Sequence, residues 1–487
     1  MVQSMMKTAG MMGRTGSVRC LRKTTLALLV LAVPALISCG PAGPYAPPTF
    51  PFLPSYHGAG YHGDVQGAPV ILQNDNWWLR LNDPVLNRLV ATALAGNPSL
   101  AVARARVTGA EAAFAGTPGL INLSTSISAT GSGLLGAAPA ERGTAQPSLS
   151  GLLDPYGAHR AQKNAASAGI EVAKAELDAA RLLLLYNLGN AYVELRYRQT
   201  LLGLQDQEMQ SRRQTLAVTL TMAEAKDATR LDIARSQARV ADLEAQRPGL
   251  AAAIKAKANE IAVLAGSAPG ALPADLARAL DRPGPQPRPA LAPDAGIPAD
   301  LLRNRPDIQV AERQYYIALA GLTQAQAALY PKLSLVGTLT LNRVGAAKPT
   351  FGYVFGPSVQ LPALPGKAAK AGVSQARATI EAAHATWQST VLTALLEVEN
   401  AMLDYQAAST SQHASDKAAR LYAETLDLTR KVFAQGDATL TDLIDAEQAL
   451  AVARRGQAQT LFQRGQSFVA LNVRLGAGNS VAAAALP

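Results

Sequence analysis

The chain is short of aromatic residues and nearly empty of cysteine: 5% of its 487 positions are Phe, Trp or Tyr, and two are Cys. Hydrophobic residues make up 48%, with Ala and Leu prominent, which argues for long helices instead of several separate globules. Histidine is sparse too. His57, His62, His159, His384 and His413 are far apart, and none stands at metal-ligand spacing from a cysteine or a carboxylate cluster. There is no GxSxG nucleophile elbow, and Gly366-Lys367 lacks the upstream glycine and following Ser/Thr of a phosphate-binding loop. Gly131 to Gly136 fits GxGxxG, but Pro139, Gly143 and Pro147 forbid the long helix that a dinucleotide site opens into. No active site is visible, and an enzyme is the remotest reading. The formal charge of +10 gives little support to nucleic-acid binding. Five of the cations precede residue 39, and the remaining +5 is dispersed among acids without a basic, aromatic-bearing patch.

Residues 1–38 read as an export signal. Arg14 to Lys23 is basic, and Leu26 to Ile37 is an apolar run of about a dozen residues, too short to span a bilayer stably. The run ends Leu36-Ile37-Ser38-Cys39, which resembles the lipobox of bacterial lipoproteins. The resemblance implies cleavage before Cys39, whose thiol then carries diacylglycerol and whose amine is acylated; no other cofactor is expected. Gly40 follows, with no Asp there to imply retention in the inner membrane. Once Cys20 leaves with the signal, Cys39 is alone, so no intramolecular disulfide can form. Residues 39–82 form a tether, rich in Pro, Gly, Tyr and His up to Asn76 and without periodicity.

The rest is one plan written twice, over residues 83–266 and 300–476, joined by a Pro/Gly-rich connector at 267–299 and followed by a tail at 477–487. In the first copy Asp83 caps a helix that runs to about Ala115. Gly119 to Thr130 then alternates as a strand of membrane-crossing length, and Ser148 to Leu153 is a weaker second strand. Gly157 to about Ala225 is a helical pattern with apolar positions at Ile170, Ala173, Leu177, Ala180, Leu184, Leu188, Ala191, Leu195 and Leu202. Such a helix is roughly 100 Å long and must pair as a coiled coil. A returning helix reaches about Ala265, with a kink or split expected at Pro248-Gly249. The second copy repeats this: helix from Pro298, strands at Leu333–Leu341 and Phe351–Leu361, a long helix from Gly366 to Gln435, and a last helix from Thr439 to about Leu475. The long helix has its seam at Val373, Ala376, Ile380, Ala383, Trp387, Val391, Leu395, Val398, Met402 and Tyr405, and covering it is expected to need neighbouring chains as well as the chain's own hairpin.

The hairpin turns match each other 210 positions apart. Asp227-Ala228-Thr229 and Asp232 in one correspond to Asp437-Ala438-Thr439 and Asp442 in the other. Asp232 and Asp442 fit first-turn positions favoured by the helix dipole, while Asp227 and Asp437 lie at the turns. Asp445 lies one turn beyond Asp442, so both can face one side.

Ile297-Pro298 through Arg305-Pro306-Asp307-Ile308 and on to Ala311-Glu312-Arg313 resembles the signature of the outer-membrane efflux protein family. Tyr330-Pro331-Lys332-Leu333-Ser334-Leu335, Phe355-Gly356-Pro357-Ser358, Leu361-Pro362 and Glu397-Val398-Glu399-Asn400-Ala401 fit the same pattern in register. Four strands per chain cannot close a barrel alone. The resemblance implies a homotrimer: a mainly α chain with a membrane β part, closing into a 12-stranded β-barrel continuous with a 12-helix periplasmic tunnel. It implies a lipid-anchored outer-membrane exit duct for drugs or other toxic solutes. The implied partners are a periplasmic adaptor and an inner-membrane transporter of the RND type. It implies a periplasmic gate at Asp232, Asp442 and Asp445. Some relatives carry a gate tyrosine and arginine where this chain has Phe433 and Ala438, so Arg230 or Arg235 is expected to supply substitute links. Lys226, Asp227, Gly436 and Asp437 are the implied adaptor-docking turns. Within the same fold, type I protein secretion or metal-ion export is the alternative. Outside it, the alternative is a lipid-anchored structural coiled coil, which would need no strands.

Overall fold

The computed structural model of the chain describes residues 47–53, 56, 76–132, 140–289, 298–345, 347–362 and 366–478. The expected signal, Cys39, most of the tether and nearly all of the tail lie outside them. In chain order the helices are α1 (Pro84–Gly96), α2 (Pro98–Ala115), α3 (Ala158–Glu224), α4 (Arg230–Leu264), α5 (Ala274–Asp281), α6 (Leu301–Asn304), α7 (Pro306–Ala327), α8 (Lys367–Gln435) and α9 (Leu440–Arg474). The strands are β1 (Ile121–Ser132), β2 (Ala140–Leu153), β3 (Lys332–Val344) and β4 (Thr350–Gln360).

One unit, holding residues 116–165 and 316–380, contains an antiparallel sheet in the order β1-β2-β3-β4. β2 is longer than its sequence pattern suggested, because Arg142, Gly143 and Pro147 obscure the alternation. Proline has no N–H to give a ladder. The β2–β3 pairing accordingly skips Gln146 and Pro147, passing from Ala145↔Leu341 to Ser148↔Thr338.

The other unit holds residues 47–115, 166–315 and 381–478 of those described. Its core gathers Trp77, Leu86, Leu89 and Leu100 with Leu185, Leu188 and Leu195 of α3, Trp387, Val391, Val398 and Met402 of α8, and Phe468 of α9. The α8 seam from Trp387 to Tyr405 is therefore buried within its own chain. Along the same stretch of α8, Leu392, Leu396 and Leu403 are left open on another face. Asp83 caps α1 as expected, its carboxylate accepting from the Val85 and Leu86 amides. The expected single first helix is broken at Asn97-Pro98. The tether is not free along its length: Phe50 and Phe52 pack on the core beside Trp387, and Tyr56 is buried.

Two further expectations are corrected. α4 runs unsplit across Pro248; Pro248 and Gly249 are exposed, so the carbonyl that loses its amide donor can turn to water. The connector carries α5, which buries Leu276 and Leu280; Arg196 donates to its C-terminal carbonyls at Ala279 and Arg282, and Gln199 to that of Leu280. Eight residues between prolines give too short a pattern to stand out.

The repeat extends to the far ends of α4 and α9, which are both 35 residues long. Gly266 and Gly476 follow them with φ of +80° and +81°, and a Cβ on either would lie 2.2 Å from a carbonyl oxygen, of Gly96 and Asn304 respectively. Beside these contacts Asn97 Nδ2 donates to the Leu264 carbonyl and an Arg305 guanidinium N–H to that of Arg474, both at 2.9 Å. Both returning helices are thus capped from the matching segment of their own repeat.

Candidate functional site

The two hairpin tips are built alike. At the end of α3 the Lys226 amide donates to Ala223 and the Asp227 amide to Met222; at the end of α8 the Gly436 amide donates to Phe433 and that of Asp437 to Val432. This pair of bonds is the Schellman ending, which needs a left-handed residue at the first position after the cap. Gly436 meets that need with φ of +86°. Lys226 adopts φ of +66° with a side chain, in a region that favours glycine.

A capping box starts each returning helix. Thr229 Oγ1 accepts from the Asp232 amide, while the Asp232 carboxylate accepts from the Thr229 amide at 2.9 Å and its hydroxyl at 2.6 Å. Thr439 and Asp442 repeat these bonds at 2.8 and 2.6 Å. The threonine hydroxyl bond first, then the amide bond, holds both carboxyls below the usual Asp range, with Arg235 adding a smaller pull on Asp232. The two acids thus have a local task of their own. Asp445 is exposed on the following turn, and Asp227, Asp437 and Lys226 are exposed at the turns. Phe433 packs against Leu426, Leu443 and Leu450.

Above the tips lies a cluster that sequence reasoning missed. Glu447 of α9 is buried between the hairpins and accepts from Ser211 Oγ at 2.7 Å, from Thr215 Oγ1 at 3.2 Å and from Arg212 at 3.2 Å, all on α3. Arg430 of α8 reaches the same carboxylate at 3.3 Å. The side chains of Arg212 and Glu447 are 5% and 6% exposed, so this ion pair is desolvated, unlike the exposed Arg213–Glu244 pair. Burial lowers the Arg212 pKa, and Glu447 opposes that shift. Arg455 pairs with Glu208, and Arg239 donates to Gln448, so the same level of the hairpins is cross-linked on both sides. The signal was present: Glu447 takes a seam place between Leu443 and Leu450, and the buried face of α3 turns polar at Gln205, Arg212, Thr215 and Thr219.

The signature residues meet in space. Arg305 bonds Asp307 through two nitrogens and Glu397 at 2.8 Å, while Glu397 also pairs with Arg474 at 2.7 Å. Two motif segments 92 positions apart therefore lock the end of α9.

The sheet separates its residues by chemistry. In all three pairings odd residues oppose odd and even oppose even. Directly opposed residues share a face. The odd face carries Ile121, Leu123, Ile127, Leu149, Leu335, Leu339, Leu341, Phe351, Tyr353 and Phe355. The even face is mostly polar, with Ser124, Ser126, Ser128, Thr144, Ser148, Ser150, Thr338, Thr340 and Ser358, and carries Leu152, Val336, Val344 and Val354 among them. The apolar face is uncovered, with Ile127 at 80% and Tyr353 at 78% exposure. An apolar surface of that size does not stay in water. β1 and β4 each keep one edge unpaired in the chain, which lipid does not tolerate. Among the described residues no helix is long and apolar enough to cross a membrane.

Comparison with known proteins agrees. Residues 297–477 match the family model described as outer membrane efflux protein. Nodulation protein T of Rhizobium leguminosarum bv. trifolii is 31% identical over 468 residues, covering 93% of this chain and 97% of that protein. The pyoverdine export outer membrane protein OpmQ of Pseudomonas putida is 25% identical, with 94% of this chain and 97% of that one aligned. The solved outer-membrane channel OprN superposes with a TM-score of 0.75 at 26% identity, over 89% of this chain and 99% of that one. The chain belongs to the outer membrane efflux protein family.

Proposed function

We propose that the chain is the outer-membrane exit duct of a tripartite efflux system. It passes drugs or other small toxic solutes handed over by an RND-type inner-membrane transporter through a periplasmic adaptor. The observation that carries this reading is the four-stranded sheet with one apolar face, one hydroxyl-lined face and two free edges. Copies joined edge to edge remove the edges, put the apolar face in lipid and leave a polar bore. Three copies give twelve strands. Native mass measurement of the detergent-solubilised protein tests this, with three chains per particle and ion conductance in a planar bilayer expected; a monomer that does not conduct contradicts it.

Within that reading the tips are the periplasmic gate and the adaptor's landing point. Threefold repetition brings Asp442, Asp445 and Asp232 into acidic rings that favour cations, and Arg235 tempers Asp232. Asp442→Asn with Asp445→Asn should weaken cation selectivity and block by multivalent cations; unchanged recordings remove the acids from the gate. Substitution of Lys226, Asp227, Gly436 or Asp437 should impair adaptor binding more than conductance. Cys39 carries the acyl anchor, and mass spectrometry of the mature N-terminus decides this, an unlipidated start downstream of Cys39 ending the proposal.

A further inference from the structure

The even, hydroxyl-lined face of the sheet carries very little charge, and none of it is negative. Its charged residues are Arg142 and Lys332, at opposite ends. Across 121–153 and 332–360, turns included, the charged residues are Glu141, Arg142, Lys332, Arg343 and Lys348. Glu141 and Arg343 are odd and lie on the apolar face. Lys332 lines a cavity that Asp154 also lines, so its end of the sheet carries an acid beside the even face. Arg142 has no acid on that face. It is exposed at the end where β1 turns into β2, and its register partners are Thr130 and Val344. Its diagonal neighbours are Ser128, Ser132 and Asn342, and no ion pair involves it among the described residues.

From this we propose that Arg142 is the charge-selective residue of the strand region, and that the solutes it favours at that end are anions. The inference rests on the duct reading, in which the even face lines the bore and each assembled particle brings three copies of Arg142 to one level. Glu141, the residue before Arg142, lies on the other face, so no acid shares the face that carries this guanidinium. A wide bore lets salt screen its field: the Debye length is about 8 Å at physiological ionic strength and about 30 Å at 0.01 M. Selectivity should therefore be clear at low salt and fade at high salt. Three unit charges across a bore of this kind shift the anion-to-cation permeability ratio by about threefold at 0.01 M.

The test is reversal potential in planar bilayers under a KCl gradient centred near 0.01 M. The wild-type sign is not the readout, because the acidic tips act in the opposite direction; the shift between variants is. Arg142→Gln should lower the chloride-to-potassium ratio by about threefold, Arg142→Glu by more, and Arg142→Lys should leave it near wild type. Arg343→Gln, on the apolar face, should shift it by less than Arg142→Gln does. All differences should vanish near 1 M KCl. A conducting Arg142→Glu channel with the wild-type reversal potential at low salt overturns the inference and leaves the duct reading standing. A wild-type protein that never conducts overturns both.

Discussion

Replacing Glu447 by alanine strips Arg212 of its main partner while leaving it buried. Removing one member of a buried ion pair typically costs 3–5 kcal/mol, whereas replacing both by apolar residues is often neutral or better. Here the cost should fall at the low end, about 3 kcal/mol. Arg212 keeps the Ile444 carbonyl at 3.3 Å and Glu208 at 3.9 Å, although Glu208 is already engaged by Arg455. Arg430 adds little to the loss, since it is half exposed and water can replace its partner. The deficit is local, so it should appear as local opening and not as a change in the distant core. Hydrogen exchange of peptides covering residues 205–219 and 440–455 should accelerate on the order of a hundredfold, with residues 185–195 unchanged. Arg212→Leu combined with Glu447→Leu should restore most of the protection. Unchanged exchange in the single variant, or a double variant as unprotected as the single, refutes the claim that this pair ties the hairpins together.

Gly476→Ala puts a Cβ 2.2 Å from the Asn304 carbonyl oxygen at a φ of +81°, and should cost several kcal/mol; loss of folded protein in membrane extracts checks it. The Asp232 and Asp442 carboxyls are held below their unfolded pKa, so their capping contribution is full above about pH 4 and lost as pH falls through the folded value. Wild-type tips should fray below that pH in exchange measurements, and Asp442→Asn should lose this dependence at its tip. Val398→Glu, in the chain's own core, should abolish folding, whereas Leu396→Glu should leave a folded chain that fails to assemble, as size-exclusion chromatography would report.

The long helices, the paired strands of the second repeat and the matching turns were legible because their periods run uninterrupted for many residues. What stayed hidden was where a local cue opposed the tertiary setting. Pro147 disguised the middle of β2, and Pro248 suggested a break that its exposed position did not require. Arg305 and Glu397 were visible as motif residues, yet their joint hold on the end of α9 lies in contacts that no spacing encodes. The tip acids are the mixed case. Asp232 and Asp442 stood out at first-turn positions, and their bonds to Thr229 and Thr439 give them a capping task that any further role must share.

A sheet that joins its copies into the wall of a duct puts one face on a water-filled bore and the other in lipid. Single-cysteine substitutions at Ser126, Ile127, Thr338, Leu339, Tyr353 and Val354, probed in intact membranes with a membrane-impermeant thiol reagent, test it most directly. Labelling should alternate residue by residue, with Ser126, Thr338 and Val354 reactive and Ile127, Leu339 and Tyr353 protected. Equal labelling of both sets, or the inverse pattern, would mean that the even face does not line a bore.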